Sequence, residues 1–224
     1  GNVLDLGCGW GSLTSFLRER VPKARVVSVT NSVNQRDFVQ HSVPESKVLK
    51  ASFSELRPES IGDLRFDITF CVEMLEHIRN WPVAFDRLAS LLQDNGILII
   101  HFFASNLMPF LYENQHPSDW MAREFFSGGM MPSPMFLFLQ DKFIVEKLEF
   151  IPGIHYRLTA DRWLENLENN REKIIERLRK EGKTADEAHR FVNRWRLFFI
   201  GCSEFFGLSR GRAFCVYLAR LRKK

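Results

Sequence analysis

The run Val3-Leu4-Asp5-Leu6-Gly7-Cys8-Gly9-Trp10-Gly11 constrains the fold more than any other stretch of the chain. A short apolar strand enters a glycine-rich turn, and Ser12–Arg20 then reads as a helix. Glycines tolerate positive φ and let backbone approach a ligand closely. The spacing departs from the dinucleotide fingerprint, because the sixth position of GxGxxG holds Ser12. A pyrophosphate reader is therefore disfavoured.

Apolar strands and amphipathic helices alternate through the first half. Strands are predicted at 25–29, 47–49, Phe66–Val72 and 97–103, and helices at 34–41 and 82–92. This order predicts an α/β, Rossmann-like doubly wound sheet. The continuous apolar run at 96–100 fits a strand buried on both faces. The second half reads differently. Residues 106–133 look irregular, and 143–150 alternates as a strand. A long charged helix is predicted at 159–181, an aromatic-rich helix at 186–206 and a closing strand at 214–221. The expectation is one domain over 1–224, with a helical cap at 159–206 inserted before the last strand. The chain opens at Gly1 inside its own glycine motif, so further residues upstream are expected.

Composition removes several function classes. Lys and Arg total 31 against 27 acids, a mild excess of +4. Nucleic-acid readers cluster more charge and carry a recognisable motif, so no nucleic-acid partner is expected. The basic runs at 171–183 and 210–224 leave weak contact with a membrane surface open, as is a homo-oligomer. The 4 cysteines form no CxxC, and no His/Cys/Asp/Glu set has metal spacing, so no metal is expected. Reduced thiols suit a cytoplasmic protein. No start resembles a signal peptide. The uncharged run at 127–140 carries prolines and glycines and does not read as a membrane span. Gly207-Leu208-Ser209-Arg210-Gly211 spells GxSxG, but it follows a helix and precedes a strand, the reverse of a nucleophile elbow. The 21 Phe, 5 Trp and 3 Tyr fit either a Phe-rich core or an aromatic pocket.

The opening motif resembles VLDxGCGxG, the first motif of class I methyltransferases that use S-adenosylmethionine. More narrowly, the chain is similar to the cyclopropane fatty acid synthase group and its offshoot, the coclaurine N-methyltransferase-like enzymes. Val29-Thr30-Asn31-Ser32 with Gln35 matches VTxSxxQ. Phe66-Asp67 through Val72-Glu73-Met74-Leu75-Glu76-His77 matches FDxxxSxEMxEH, with Cys71 replacing the Ser. His155, Tyr156, Thr159, Trp163 and Leu167 match HYxxTxxxWxxxL, and Trp195, Phe198 and Phe199 lie on a WRxFF-type helix. Trp120 through Ser133 resembles the amine branch, DWxxRxFFxGGxMPS, more than the lipid branch.

The resemblance implies a mostly parallel seven-stranded sheet whose last strand is antiparallel. It implies that Gly7, Gly9 and Gly11 wrap the methionine part of S-adenosylmethionine. Asp5 would hold the amino group, directly or through water, and Thr30, Asn31 and Gln35 would contact ribose or adenine. Ser52 stands where the family commonly has an Asp for the adenine amino group, so weaker cofactor binding is expected.

Glu73, Glu76 and His77 are spaced i, i+3, i+4 and would share one face of a helical turn beginning at Glu73. An ammonium cannot attack a methyl group, so an amine acceptor needs a carboxylate to bind it and a base, His77, to take its proton. The same triplet serves the lipid branch, where the matched His helps hold a bicarbonate. Phe125, Phe126, Tyr156, Trp163, Trp195, Phe198 and Phe199 are the candidate substrate-pocket residues, since aromatic faces attract cations and also suit apolar chains. Two residues depart from the amine branch: Glu124 and Arg194 each replace a Tyr. The leading expectation is methyl transfer to a nitrogen of a small amine. The alternative is methylation or cyclopropanation of an unsaturated acyl chain.

Overall fold

The computed structural model describes residues 1–126 and 128–224. Ser127, part of the 120–133 motif, lies outside the described residues. The chain begins β1 (Asn2–Leu6), α1 (Ser12–Arg20), β2 (Arg25–Thr30), α2 (Val33–Ser42) and β3 (Lys47–Lys50). It continues through β4 (Phe66–Val72), α3 (Trp81–Leu91) and β5 (Leu92–Ser105). Next come β6 (Phe110–Leu111), α4 (Trp120–Glu124), β7 (Met130–Met131) and β8 (Phe143–Pro152). Then follow α5 (Ile154–Asn169), α6 (Arg171–Lys180), α7 (Ala185–Gly207) and β9 (Phe214–Lys223).

Seven strands form one sheet in the order β3-β2-β1-β4-β5-β9-β8. The first five pair in parallel, and β9 runs antiparallel to both β5 and β8. This is the expected architecture. One face of the sheet is sealed by α3, whose Trp81, Phe85 and Leu88 pack on Leu4, Leu98, Ile100 and Leu221. On the other face, Leu17 of α1 packs on Val3 and Val26, and Val39 of α2 packs on Val48. The carboxyl ends of β1 to β4 meet between these layers, where parallel sheets place ligands.

Three expectations are corrected. The single helix predicted at 159–181 is two helices, α5 and α6, and α5 begins earlier, at Ile154. The break falls at Asn170, which leaves helical backbone at φ −110°, ψ 11°. Its Nδ2 donates back to the Asn166 carbonyl, the local competition with helix hydrogen bonding that makes Asn a poor interior residue. Strand β5 is longer than the predicted 97–103. It starts at Leu92, and the β4 pairing jumps from Phe66↔Leu92 to Ile68↔Ile97, with Asn95 in positive φ within the bulge. The segment 106–133 is not wholly irregular, since it carries the β6–β7 pair and α4.

Candidate active site

The glycine loop is pinned first. The Gly7 and Cys8 amides both donate to the Val29 carbonyl at 2.9 Å, so the loop is fixed to the end of β2. Gly9 and Gly11 both have positive φ, 54° and 83°. A methyl group added at Gly9 would meet nothing within 4 Å, so its bare backbone faces open space. One added at Gly11 would sit 2.8 Å from Val39 Cγ2, so this glycine admits α2 against the loop.

A cleft of about 780 Å³ opens beside the loop. Its walls include Gly7, Gly9, Thr30, Asn31, Gln35, Ser52, Glu73 and His77. Eight residues picked out in the sequence from four separate segments therefore share one cavity. Gly11 and Asp5 do not line it. Asp5 is only 2% exposed, and its side chain turns toward α1, where Thr14 Oγ1 donates to Oδ2 at 2.7 Å. Thr14 Oγ1 also lies 2.7 Å from Ser28 Oγ. Burial pushes the Asp5 carboxyl above its usual range, and the Thr14 hydrogen bonds pull part of that back. Asp5, expected to hold a ligand amino group directly or through water, here ties β1 to α1 and β2 through Thr14.

Thr30 Oγ1 donates to Gln35 Oε1 at 2.6 Å, and Ser32 caps α2 by accepting from the Gln35 amide. This explains the VTxSxxQ spacing: the cap starts the helix that returns Gln35 to Thr30. Ser52 Oγ lies 2.7 Å from Ser54 Oγ, and both residues line the cleft.

The acidic triplet is not one helical face. Glu73 sits in left-handed backbone at φ 51°, and only Leu75–His77 forms a short 3-10 turn. The reason is the strand end: the Glu73 amide donates to the His101 carbonyl of β5 at 2.9 Å, which keeps Glu73 in the sheet. The three side chains diverge as a result. His77 is exposed along the cleft. Glu73 Oε1 pairs with His101 Nδ1 at 2.9 Å, and Tyr156 OH donates to Glu73 Oε2 at 2.5 Å. Glu76 is buried to 1% exposure, and its Oε1 accepts from the Phe103 amide at 2.9 Å. Its Oε2 has no hydrogen-bond partner among the described residues. Burial, and then the Glu73 charge, push the Glu76 carboxyl well above its usual range, which favours the neutral acid. Burial and the Glu73 charge also push the Tyr156 phenol upward, so it remains a donor.

None of the seven aromatic candidates lines the cleft. Six of them make a contiguous cluster beside it. Phe125 stacks on Phe198 at 4.2 Å and meets Trp195 edge-on at 5.1 Å. Phe126 packs on Phe198, Trp195 on Phe199, and Phe199 on Trp163. Trp163 is 49% exposed, at the outer end. Tyr156 belongs to a second chain of rings, Tyr156–Phe206–Phe103–Phe126, that joins the cluster to Glu73. Phe103, Phe206 and Tyr112, which stacks on Phe126 at 5.0 Å, carried no distinguishing sequence signal. His101 stands out in the sequence as the polar residue of the otherwise apolar run 97–103.

Burial holds the Cys8 and Cys202 thiols up to about 12 and Cys215 to about 11, so they are not thiolate nucleophiles. Among the described residues, no three His, Cys, Asp or Glu side chains group as a metal site would need.

The family described as Mycolic acid cyclopropane synthetase matches residues 1–213 of this chain. The chain belongs to that family. (S)-Coclaurine N-methyltransferase of Papaver somniferum is 29% identical over 231 residues, covering 100% of this chain and 65% of the relative. Pavine N-methyltransferase of Thalictrum flavum subsp. glaucum is 26% identical, covering 100% of this chain and 64% of the relative. This cyclopropane synthetase family member thus spans less than two thirds of those curated relatives. The crystal structure of coclaurine N-methyltransferase bound to N-methylheliamine and SAH superposes with a TM-score of 0.90 at 25% identity. That match covers 98% of this chain and 66% of the other.

Proposed function

We propose that this chain is an S-adenosylmethionine-dependent methyltransferase acting on a nitrogen of a small amine. The observation that carries the reading is a carboxylate, Glu73, on the wall of the glycine-loop cleft and held by His101 and Tyr156. The similarity to amine N-methyltransferases over the whole chain supports it.

The residues present fit the cofactor. The cleft volume falls within the usual ~300–1,000 Å³ of small-molecule sites. Gly9 leaves backbone bare toward open space, and Thr30, Asn31, Gln35 and Ser52 offer hydroxyls and amides to a nucleoside. When bound, S-adenosylmethionine supplies an electrophilic methyl group on a sulfonium.

The chain's own groups do the rest. Glu73 receives the cationic amine as a charge-assisted hydrogen-bond acceptor. His101 and Tyr156 fix which way its two oxygens face. His77, exposed on the same cleft, takes the ammonium proton and passes it to solvent. Glu76, kept neutral, leaves the site with one acceptor carboxylate rather than two that repel. The ring cluster of Phe125, Phe126, Trp195, Phe198 and Phe199 holds the aromatic body of the substrate, with Trp163 at its edge. The helices α5 to α7 serve as the cap, since Tyr156 of α5 reaches Glu73 and Arg194 of α7 reaches α4. Free cysteines suit the cytoplasm. Among the described residues, no helix is long and apolar enough to cross a membrane.

A second reading, transfer to an unsaturated acyl chain, draws support from one feature. Leu107, Met108 and Met135 are 70%, 67% and 63% exposed, and the first two sit just past the end of β5, where their amides bind Ser105 Oγ.

The test is a pair of variants. Glu73→Gln is expected to lose about 100-fold or more in kcat while binding S-adenosylhomocysteine normally by calorimetry. His77→Ala is expected to lose rate at neutral pH and recover as pH rises and the amine deprotonates in solution. A His77→Ala deficit that is constant with pH would remove His77 from the base role.

A further inference from the structure

The wall of the cleft formed by Ser52, Phe53 and Ser54 has an unusual support. Arg87 projects from α3, and its Nη1 donates to the Phe53 carbonyl at 2.8 Å and also to the Ser54 carbonyl. Its guanidinium lies 5.4 Å from the centre of the Phe53 ring, within cation–π range. Arg57 approaches the same turn from its other side, donating to the Ser54 and Leu56 carbonyls at 3.0 and 2.9 Å. Two guanidinium groups thus converge on one carbonyl, that of Ser54. They are close enough that the Arg57 charge, after desolvation, lowers the Arg87 pKa. What they enforce is the path of residues 52–56, and three of those residues line the cleft.

Ser52 and Ser54 bond to each other through their hydroxyls and through the Ser54 amide, a contact that is local and short-ranged. The Glu55 and Leu56 amides also bond the Ser52 carbonyl, and Arg57 bonds the turn locally; among the described residues, Arg87 brings side-chain hydrogen bonds to this turn from an element 33 residues further on.

We infer that Arg87 is a positioning residue for the nucleoside end of the cleft, fixing the Ser52–Ser54 wall through the Phe53 and Ser54 carbonyls. The inference rests on the cofactor reading above. Arg87 touches no reacting atom. It sets cofactor affinity and leaves the chemical step alone. Lysine cannot replace it fully, because a single ammonium does not present the planar fork that spans two carbonyls.

The experiment uses the full chain as wild type, Arg87→Lys and Arg87→Met. Binding of S-adenosylhomocysteine is measured by calorimetry, kcat at saturating S-adenosylmethionine, and amide hydrogen exchange across 52–57. Wild type is expected to bind. Arg87→Met is expected to raise Kd about tenfold, the effect of losing charged hydrogen bonds. Arg87→Lys is expected to fall between the two, with kcat within about twofold in both. Exchange should quicken at 52–57 and nowhere else. An unchanged Kd in Arg87→Met would overturn the inference. So would equal losses in affinity and kcat with faster exchange throughout α3, which would make Arg87 merely structural; Arg87→Lys, which keeps charge and stem, guards against a variant that fails to fold. Absence of binding by the wild type would instead overturn the cofactor reading itself.

Discussion

Glu124 at the end of α4 and Arg194 on α7 form an ion pair, with Nη1 2.8 Å from Oε2. They are 70 residues apart in sequence, and each is a charge where the resemblance to the amine branch implies a tyrosine. The structure makes the two departures one feature. Arg194 also lies 5.9 Å from the Phe125 ring centre, so the pair fastens the Phe125 side of the aromatic cluster. Arg123 is the weaker partner of Glu124, at 3.6 Å.

The pair is partly exposed, so its coupling should be modest. Glu124→Gln and Arg194→Met are each expected to destabilise slightly, with a coupling energy of about 0.2–1 kcal/mol in a double-mutant cycle. The swapped pair, Glu124→Arg with Arg194→Glu, should recover most of the loss. Strict additivity in urea denaturation would show that the two charges do not interact.

Glu76 makes a prediction about pH. Its folded-state pKa is raised, so the folded chain keeps a proton that the unfolded chain releases near pH 4.5. Folding is favoured by this group below that pH and loses the contribution as pH climbs toward the folded value. The slope reaches about 1.4 kcal/mol per pH unit at most. Glu76→Gln removes the titration while still offering an oxygen to the Phe103 amide. The Tm difference, variant minus wild type, should therefore grow from pH 5 to pH 8. A difference independent of pH would mean that Glu76 is not held neutral.

The two glycines should separate stability from binding. Gly11→Ala places a methyl against Val39 in left-handed backbone and should cost about 2–4 kcal/mol. Gly9→Ala meets no neighbour and should cost only about 1–2 kcal/mol of backbone strain, yet lower cofactor affinity severely. Thermal melts with calorimetry on both variants check this. Equal cofactor affinity in Gly9→Ala and wild type would remove Gly9 from the ligand wall.

Much of this was legible in the sequence. Continuous apolar strands separated by helices dictate the sheet, and VTxSxxQ and the glycine loop place their residues on one cleft. Three things were not legible, for physical reasons. The i, i+3, i+4 spacing suggested a helical face, but a backbone bond to His101 holds Glu73 in the sheet and in positive φ. Asp5 carries no sign of which side of the sheet it faces, and Thr14 claims it. The Arg87 support of the Phe53–Ser54 turn and the Glu124–Arg194 pair are tertiary meetings of distant segments, which no local pattern encodes.

The central claim is that the methyl group goes to an amine nitrogen. The most direct test incubates the protein with labelled S-adenosylmethionine and two acceptor pools, small aromatic amines and unsaturated phospholipids, and weighs the products by mass spectrometry. The account predicts an amine heavier by one methyl group, formed by wild type and lost in Glu73→Gln. A phospholipid heavier by one methylene, with every amine unchanged, would contradict it.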